Sequence, residues 1–98
     1  MLYFVYLIQS KRTGEVYIGY TSDLKVRLSQ HNLDKSYSTR GKGPWMLVYA
    51  EIYRSRKDAK ERESRLKYFG NAYFQLKRRI KRSFFEVSQV REGVINSV

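Results

Sequence analysis

Two strands are written into Leu2-Tyr3-Phe4-Val5-Tyr6-Leu7-Ile8 and Glu15-Val16-Tyr17-Ile18-Gly19-Tyr20, with Gln9-Ser10-Lys11-Arg12-Thr13-Gly14 between them. The first run is continuously apolar, β-branched and aromatic, which predicts a strand over residues 2–9 buried on both faces. The second predicts a strand over 15–20, and the short Gly-containing link predicts an antiparallel hairpin. If that hairpin centres near Lys11 and Arg12, Tyr6 and Tyr17 stand almost directly opposite one another. Outward from the hairpin, Thr21-Ser22-Asp23 supplies capping groups for a helix over about 23–32. Residues 32–44 are polar and basic and end in the one proline, which predicts a loop. Trp45 to Tyr53 reads as a third strand. Ser55-Arg56-Lys57-Asp58 opens a second helix that runs to about Phe69, where Gly70-Asn71 is a stop signal. A basic third helix is expected from Ala72 to about Arg82. Residues 1–82 are expected to be one small α/β domain and 83–98 a loosely held tail.

Composition narrows the chemistry. The chain has 98 residues and no cysteine, so disulfides, thiolate metal sites and a cysteine nucleophile are excluded. Its single histidine excludes a multi-histidine metal centre. The N-terminal apolar run is too short for a signal peptide or a membrane span, and a cytoplasmic location is expected. Net charge is +11, of which the first 53 residues carry +3 and the remainder +8. With nine tyrosines and five phenylalanines, this balance points to a polyanionic partner, most simply nucleic acid. A membrane surface fits less well, because no basic amphipathic helix with a wide apolar face stands out. Lys77, Arg78, Arg79, Lys81 and Arg82 are the densest candidates for phosphate contact, with Lys67 and Lys42 beside them. Gly41-Lys42-Gly43 lacks the spacing of a nucleotide-binding P-loop and reads as a flexible, phosphate-touching loop.

Several polar residues occupy positions that packing alone would give to apolar ones. Gly19 interrupts a strand, which often marks a close approach of backbone or ligand. Arg27 and His31 share a helical face with Leu24 and Leu28. They could be a snorkelling arginine and a satisfied half-buried histidine. Glu63 lies between Ala59 and Leu66 on the stripe expected to face the sheet. A carboxylate there needs a cation, either an arginine such as Arg27 or a divalent metal completed by waters and phosphate.

In order and spacing these segments resemble the GIY-YIG nuclease family, over residues 4 to about 67. Tyr17-Ile18-Gly19 is the second triplet verbatim, and Phe4-Val5-Tyr6 stands where the first would be, keeping its tyrosine. The helix from Thr21 to Asn32 carries the family's arginine and the histidine four residues later, and Ala59 to Lys67 resembles the glutamate motif. The chain is most similar to small standalone bacterial members. The resemblance implies an α/β fold with a three-stranded, mainly antiparallel sheet flanked by helices. It further implies hydrolysis of phosphodiester bonds in DNA with one divalent metal ion, Mg²⁺ or Mn²⁺. Carried over by position, Tyr6 and Tyr17 are the motif tyrosines. Arg27 binds the scissile phosphate, His31 assists proton transfer and Glu63 holds the metal. Cations near the phenol would be expected to stabilise phenolate. Many members also carry an active-site asparagine, but neither Asn71 nor Gln75 has the matching spacing. DNA is the expected substrate, with structured or branched forms compatible and the particular DNA structure left open by the sequence. RNA, and a protein partner that supplies specificity, are compatible with the same surface. The competing readings are a DNA- or RNA-binding module that does not cut and a basic surface that docks an acidic protein.

Overall fold

The computed structural model describes residues 1–86. The apolar run at the N-terminus forms β1 (Tyr3–Ser10), in which Val5 to Ser10 are all buried. A strand buried on both faces belongs in the middle of a sheet, and β1 is flanked by β2 (Val16–Thr21) and β3 (Trp45–Tyr53) in the order β2-β1-β3. Both pairings are antiparallel, as the family resemblance implies. α1 (Leu24–Asn32) follows the hairpin, and α2 (Arg56–Tyr68) and α3 (Gly70–Arg79) follow β3. No helix among the described residues is long and apolar enough to cross a membrane.

Alternation along β1 divides the interior in two. Val5 and Leu7 point to one face, where Ala59 and Leu66 of α2 and Leu76 of α3 close over them. Tyr6 and Ile8 point to the other, packed with Trp45 and with Leu24 and Leu28 of α1. A bulge at Val48 lets β3 present Val48 and Tyr49 in succession to the first face.

Three sequence expectations shift. The hairpin turn lies later than Lys11–Arg12. Ser10 and Glu15 close it by a 2.9 Å backbone bond, Gly14 takes φ +81°, and the Ser10 hydroxyl accepts from the amides of Arg12 and Thr13. Tyr6 is therefore opposite Gly19 and Tyr17 is opposite Ile8, so the two phenols are diagonal neighbours on one face. Gly70-Asn71 opens α3 instead of separating two helices. Only Phe69, in an extended conformation, breaks the helical path. The loop after α1 contains a 3₁₀ turn at Tyr37–Thr39, and Ser36 and Thr39 within it are buried. At the far end, Gln9 clamps Phe85, accepting its amide at 2.7 Å and donating to its carbonyl at 3.0 Å. The rest of the expected tail, residues 87–98, lies outside the described residues.

α1 starts where Asp23 accepts the amide of Val26 at 3.2 Å, with the Thr21 hydroxyl in turn accepting from Asp23. Ser55 caps α2 by the same logic, through the amide of Asp58 at 3.1 Å.

The register explains the glycine in β2. The Tyr6 ring lies across Gly19, and a methyl group there would stand 2.9 Å from Cε2 and closer still to the phenol oxygen. Gly19→Ala should therefore lower stability by about 1–3 kcal/mol through overpacking. In a Tyr6→Leu background the same change should cost less than ~1 kcal/mol, since the shorter side chain leaves the space open. Denaturant unfolding of the four proteins checks this coupling.

Candidate active site

Tyr6 is fixed by the central strand and steered over Gly19 until its hydroxyl reaches Nε2 of His31, 2.9 Å away. His31 comes from the last turn of α1 and is completely buried. Its other nitrogen, Nδ1, is 2.8 Å from the Thr39 hydroxyl, which lies 3.5 Å from the Ser36 carbonyl. That arrangement assigns the protons. The Thr39 hydroxyl donates to the carbonyl and accepts Nδ1–H, which leaves Nε2 as the acceptor for the Tyr6 O–H. Trp45 braces the loop by donating from its indole to the Thr39 carbonyl at 3.3 Å. Asn32 in turn bonds both backbone groups of Trp45.

Burial sets the protonation states. Loss of water around Tyr6 pushes its pKa up to about 12, despite the lowering influence of the Arg27 guanidinium, while Tyr17 and Glu63 add to the rise. The expected stabilisation of phenolate by nearby cations is present but outweighed by desolvation, so the phenol's pKa rises overall. Loss of water around His31, reinforced by Arg27, pulls the imidazole down to about 4. Both groups are neutral at physiological pH, and their bond joins a phenol donor to an imidazole acceptor.

The other sequence candidates surround this pair. The Tyr17 ring centroid is 5.0 Å from that of His31 and 6.4 Å from that of Tyr6. Arg27 is half-buried on α1, held by Gln30 Oε1 at 2.9 Å and by the Ser36 hydroxyl at 3.4 Å. Two of its five N–H groups are thereby used, and the guanidinium also acts on the Tyr6 hydroxyl as a hydrogen-bond partner. Glu63 lies close enough to influence Tyr6, but its partner is Lys67 at 3.0 Å instead of Arg27. The Lys67 ammonium also sits 5.7 Å from the centroid of Tyr17. α2 belongs to the first face of the sheet and Tyr17 to the second, so Lys67 joins them at the edge strand β2.

Lys77, Arg78, Arg79, Lys81 and Arg82 are exposed but stand apart from this cluster. Leu76 packs α3 on the Val5–Leu7 face, opposite Tyr6 and His31. Asn71 and Gln75 go with α3. Lys42 pairs with Glu15 at 2.9 Å, and its loop is tied to the hairpin through Ser10, Lys11 and Arg12.

Among the described residues no three metal-binding side chains converge. The protein's offer to a cation is therefore one carboxylate, Glu63, whose Oε1 has no protein partner among those residues. This donor set suits a hard divalent ion that keeps its waters and takes phosphate oxygens. Thr39, Ser36 and Gln30 are absent from the sequence reading. Ser36 and Thr39 lie in a loop without periodicity, where only the burial of Thr39 beneath Trp45 reveals their place, and Gln30 is a polar residue of α1 with no signal of its own.

Because His31 is neutral when folded and takes up a proton near pH 6.5 when unfolded, stability should fall as pH drops from about 6.5 toward 4. The slope is up to ~1.4 kcal/mol per pH unit. Thr39→Val leaves Nδ1–H without an acceptor and should cost about 1–3 kcal/mol at pH 7. In His31→Gln the slope between about pH 6.5 and 5 should vanish, leaving at lower pH the loss from carboxylates such as Glu51 that the fold holds below their usual range. Urea unfolding at several pH values measures both effects.

Comparison with known proteins gives this geometry a lineage. A model of the GIY-YIG catalytic domain matches residues 2–75. The UPF0213 protein SH2523 of Staphylococcus haemolyticus is 34% identical, covering 68% of this chain and 82% of that protein. The UPF0213 protein VNG_2274C of Halobacterium salinarum is 36% identical, covering 72% and 92%. The solution NMR structure of the UPF0213 protein BH0048 from Bacillus halodurans is 34% identical, with a TM-score of 0.46 over 70% of this chain and 73% of that one. With its second triplet intact and the matched domain spanning both tyrosines, Arg27, His31 and Glu63, the chain belongs to the GIY-YIG family.

Proposed function

We propose that the protein is a nuclease that hydrolyses phosphodiester bonds in DNA at the Tyr6–His31 site, with Mg²⁺ or Mn²⁺ held by Glu63. The coarser statement, a nuclease-type domain that acts on nucleic acid, comes with the family. The observation that carries the finer one is the buried phenol donating to a neutral imidazole, with a guanidinium and a carboxylate beside it.

In this reading a water attacks phosphorus next to Tyr6. The Tyr6 oxygen takes the water's proton as its own O–H proton passes to His31 Nε2, so the phenol is neutral before and after. The resulting imidazolium keeps its Nδ1–H donated to Thr39. A phenol with a pKa of about 12 could not supply a standing phenolate at neutral pH, but this exchange does not require one. Arg27, oriented by Gln30 and Ser36, places its remaining N–H groups on the phosphate, where charge grows in the transition state. Tyr17 walls the imidazole, and Lys67 can leave Glu63 for a phosphate oxygen. When bound, the metal polarises the phosphate and stabilises the leaving oxygen.

A module that holds nucleic acid without cutting it has Lys67 in its favour, since that ammonium already offsets the Glu63 charge. The Tyr6–His31–Thr39 chain weighs the other way. It buries three polar side chains that contribute nothing to holding a polyanion.

Single-stranded, duplex, flap and branched DNAs incubated with Mn²⁺, Mg²⁺ or EDTA test the reading. Cleavage should require metal, and Arg27→Ala should lose roughly 10²–10³-fold in rate while most affinity remains. Glu63→Gln should abolish both cleavage and Mn²⁺-dependent thermal stabilisation. Its melting in EDTA should change by no more than about 1 kcal/mol, because the Lys67 pair is partly exposed. Wild-type protein that binds every substrate and cuts none would favour the binding module.

A further inference from the structure

From Ser64 to Phe85 the chain carries seven lysines and arginines and no acidic residue. Among the described residues only Lys67 of these seven is ion-paired. The same segment exposes three large aromatic rings where α2 meets α3: Tyr68 is 76% exposed, and Phe69 and Phe74 are each 58% exposed. Single exposed apolar residues are ordinary, but three within seven positions on an uncompensated cationic surface are not.

Their geometry is specific. The Arg65 guanidinium lies 5.8 Å from the centroid of Phe69, and that of Arg78 lies 5.9 Å from Phe74. Each ring thus lies beside a cation four residues away while more than half of the residue's surface stays exposed. Beside Phe74 runs an open groove of ≈ 500 Å³ lined by Gln75, Arg78, Arg79 and Lys81. Flat rings alternating with cations suit a chain that offers bases and phosphates together. Duplex DNA offers phosphates and base edges, but its base faces are stacked on one another and closed to an aromatic ring.

We infer that the α2–α3 corner is a docking surface for single-stranded nucleic acid, with unpaired bases stacked on Phe69 and Phe74 and the backbone following Arg78, Arg79 and Lys81. The surface begins two residues after Lys67, which borders the Tyr6–Tyr17 site. It therefore deepens the nuclease reading by assigning a DNA with an unpaired strand as its substrate. Its test measures binding in EDTA, so that it can fail while cleavage succeeds, and the reverse.

Fluorescence anisotropy should compare a labelled oligothymidylate with a mixed-sequence duplex of equal length. Wild-type protein should prefer the single strand. Phe69→Leu and Phe74→Leu keep an apolar side chain but remove the π face, and each should weaken oligothymidylate binding about tenfold. Duplex binding should stay within about twofold, and melting temperatures should be unchanged. Arg78→Gln combined with Arg79→Gln should weaken both ligands and flatten their salt dependence. A wild-type preference for duplex would overturn the inference. So would equal losses on both DNAs in the leucine variants, unchanged oligothymidylate affinity in them, or competition by polyglutamate as effective as by unlabelled oligothymidylate.

Discussion

The passage of the Tyr6 ring over Gly19 is the constraint on which the rest of the site depends. A central strand ordinarily sends its side chains straight into a layer of apolar neighbours. Here the missing Cβ on β2 lets a phenol lean sideways and carry its hydroxyl to a histidine on α1. The remaining geometry follows from satisfying that histidine. Thr39 must be buried to meet Nδ1, so the loop after α1 must fold inward. Trp45 and Asn32 hold it there against the start of β3. Ser36, brought in by the same loop, then gives Arg27 a fixed support.

A buried polar chain of this kind is unfavourable unless every member is paired. The protein meets that condition with neutral groups. Desolvation keeps the phenol protonated and the imidazole unprotonated, and the Arg27 charge reinforces the second effect while only partly opposing the first. Charges are confined to the border of the site, in Arg27, Glu63 and Lys67, which are partly exposed to water. In the proposed reaction this division would assign proton movement to the neutral groups inside and charge compensation to the rim.

Much of this was legible in the residues. Strand, hairpin and cap signals placed all three strands and all three helices to within a few positions, because continuous apolar runs and capping residues act locally. Tyr6, Tyr17, Arg27, His31 and Glu63 stood out because each is a polar or aromatic group on an apolar stripe. The hairpin register was less legible. Its turn is closed by the Ser10 hydroxyl and the left-handed Gly14, and a difference of one position in the centre moves the opposing residue by two. The Lys67 partner of Glu63 was not among the cations weighed from the sequence. An i,i+4 lysine on the same helix is a closer cation than an arginine across the site. Thr39 could not be read at all, since its burial is created by contacts from β3.

The site is built around an imidazole that is neutral, protonated at Nδ1 and bonded through Nε2 to a protonated phenol. Long-range proton–nitrogen correlation NMR of the single histidine, followed across pH, observes this directly. The account predicts an Nδ1–H tautomer at pH 7 that resists protonation until the pH approaches about 4. A ring that carries its proton on Nε2, or that titrates near 6.5 like a solvated histidine, would contradict it.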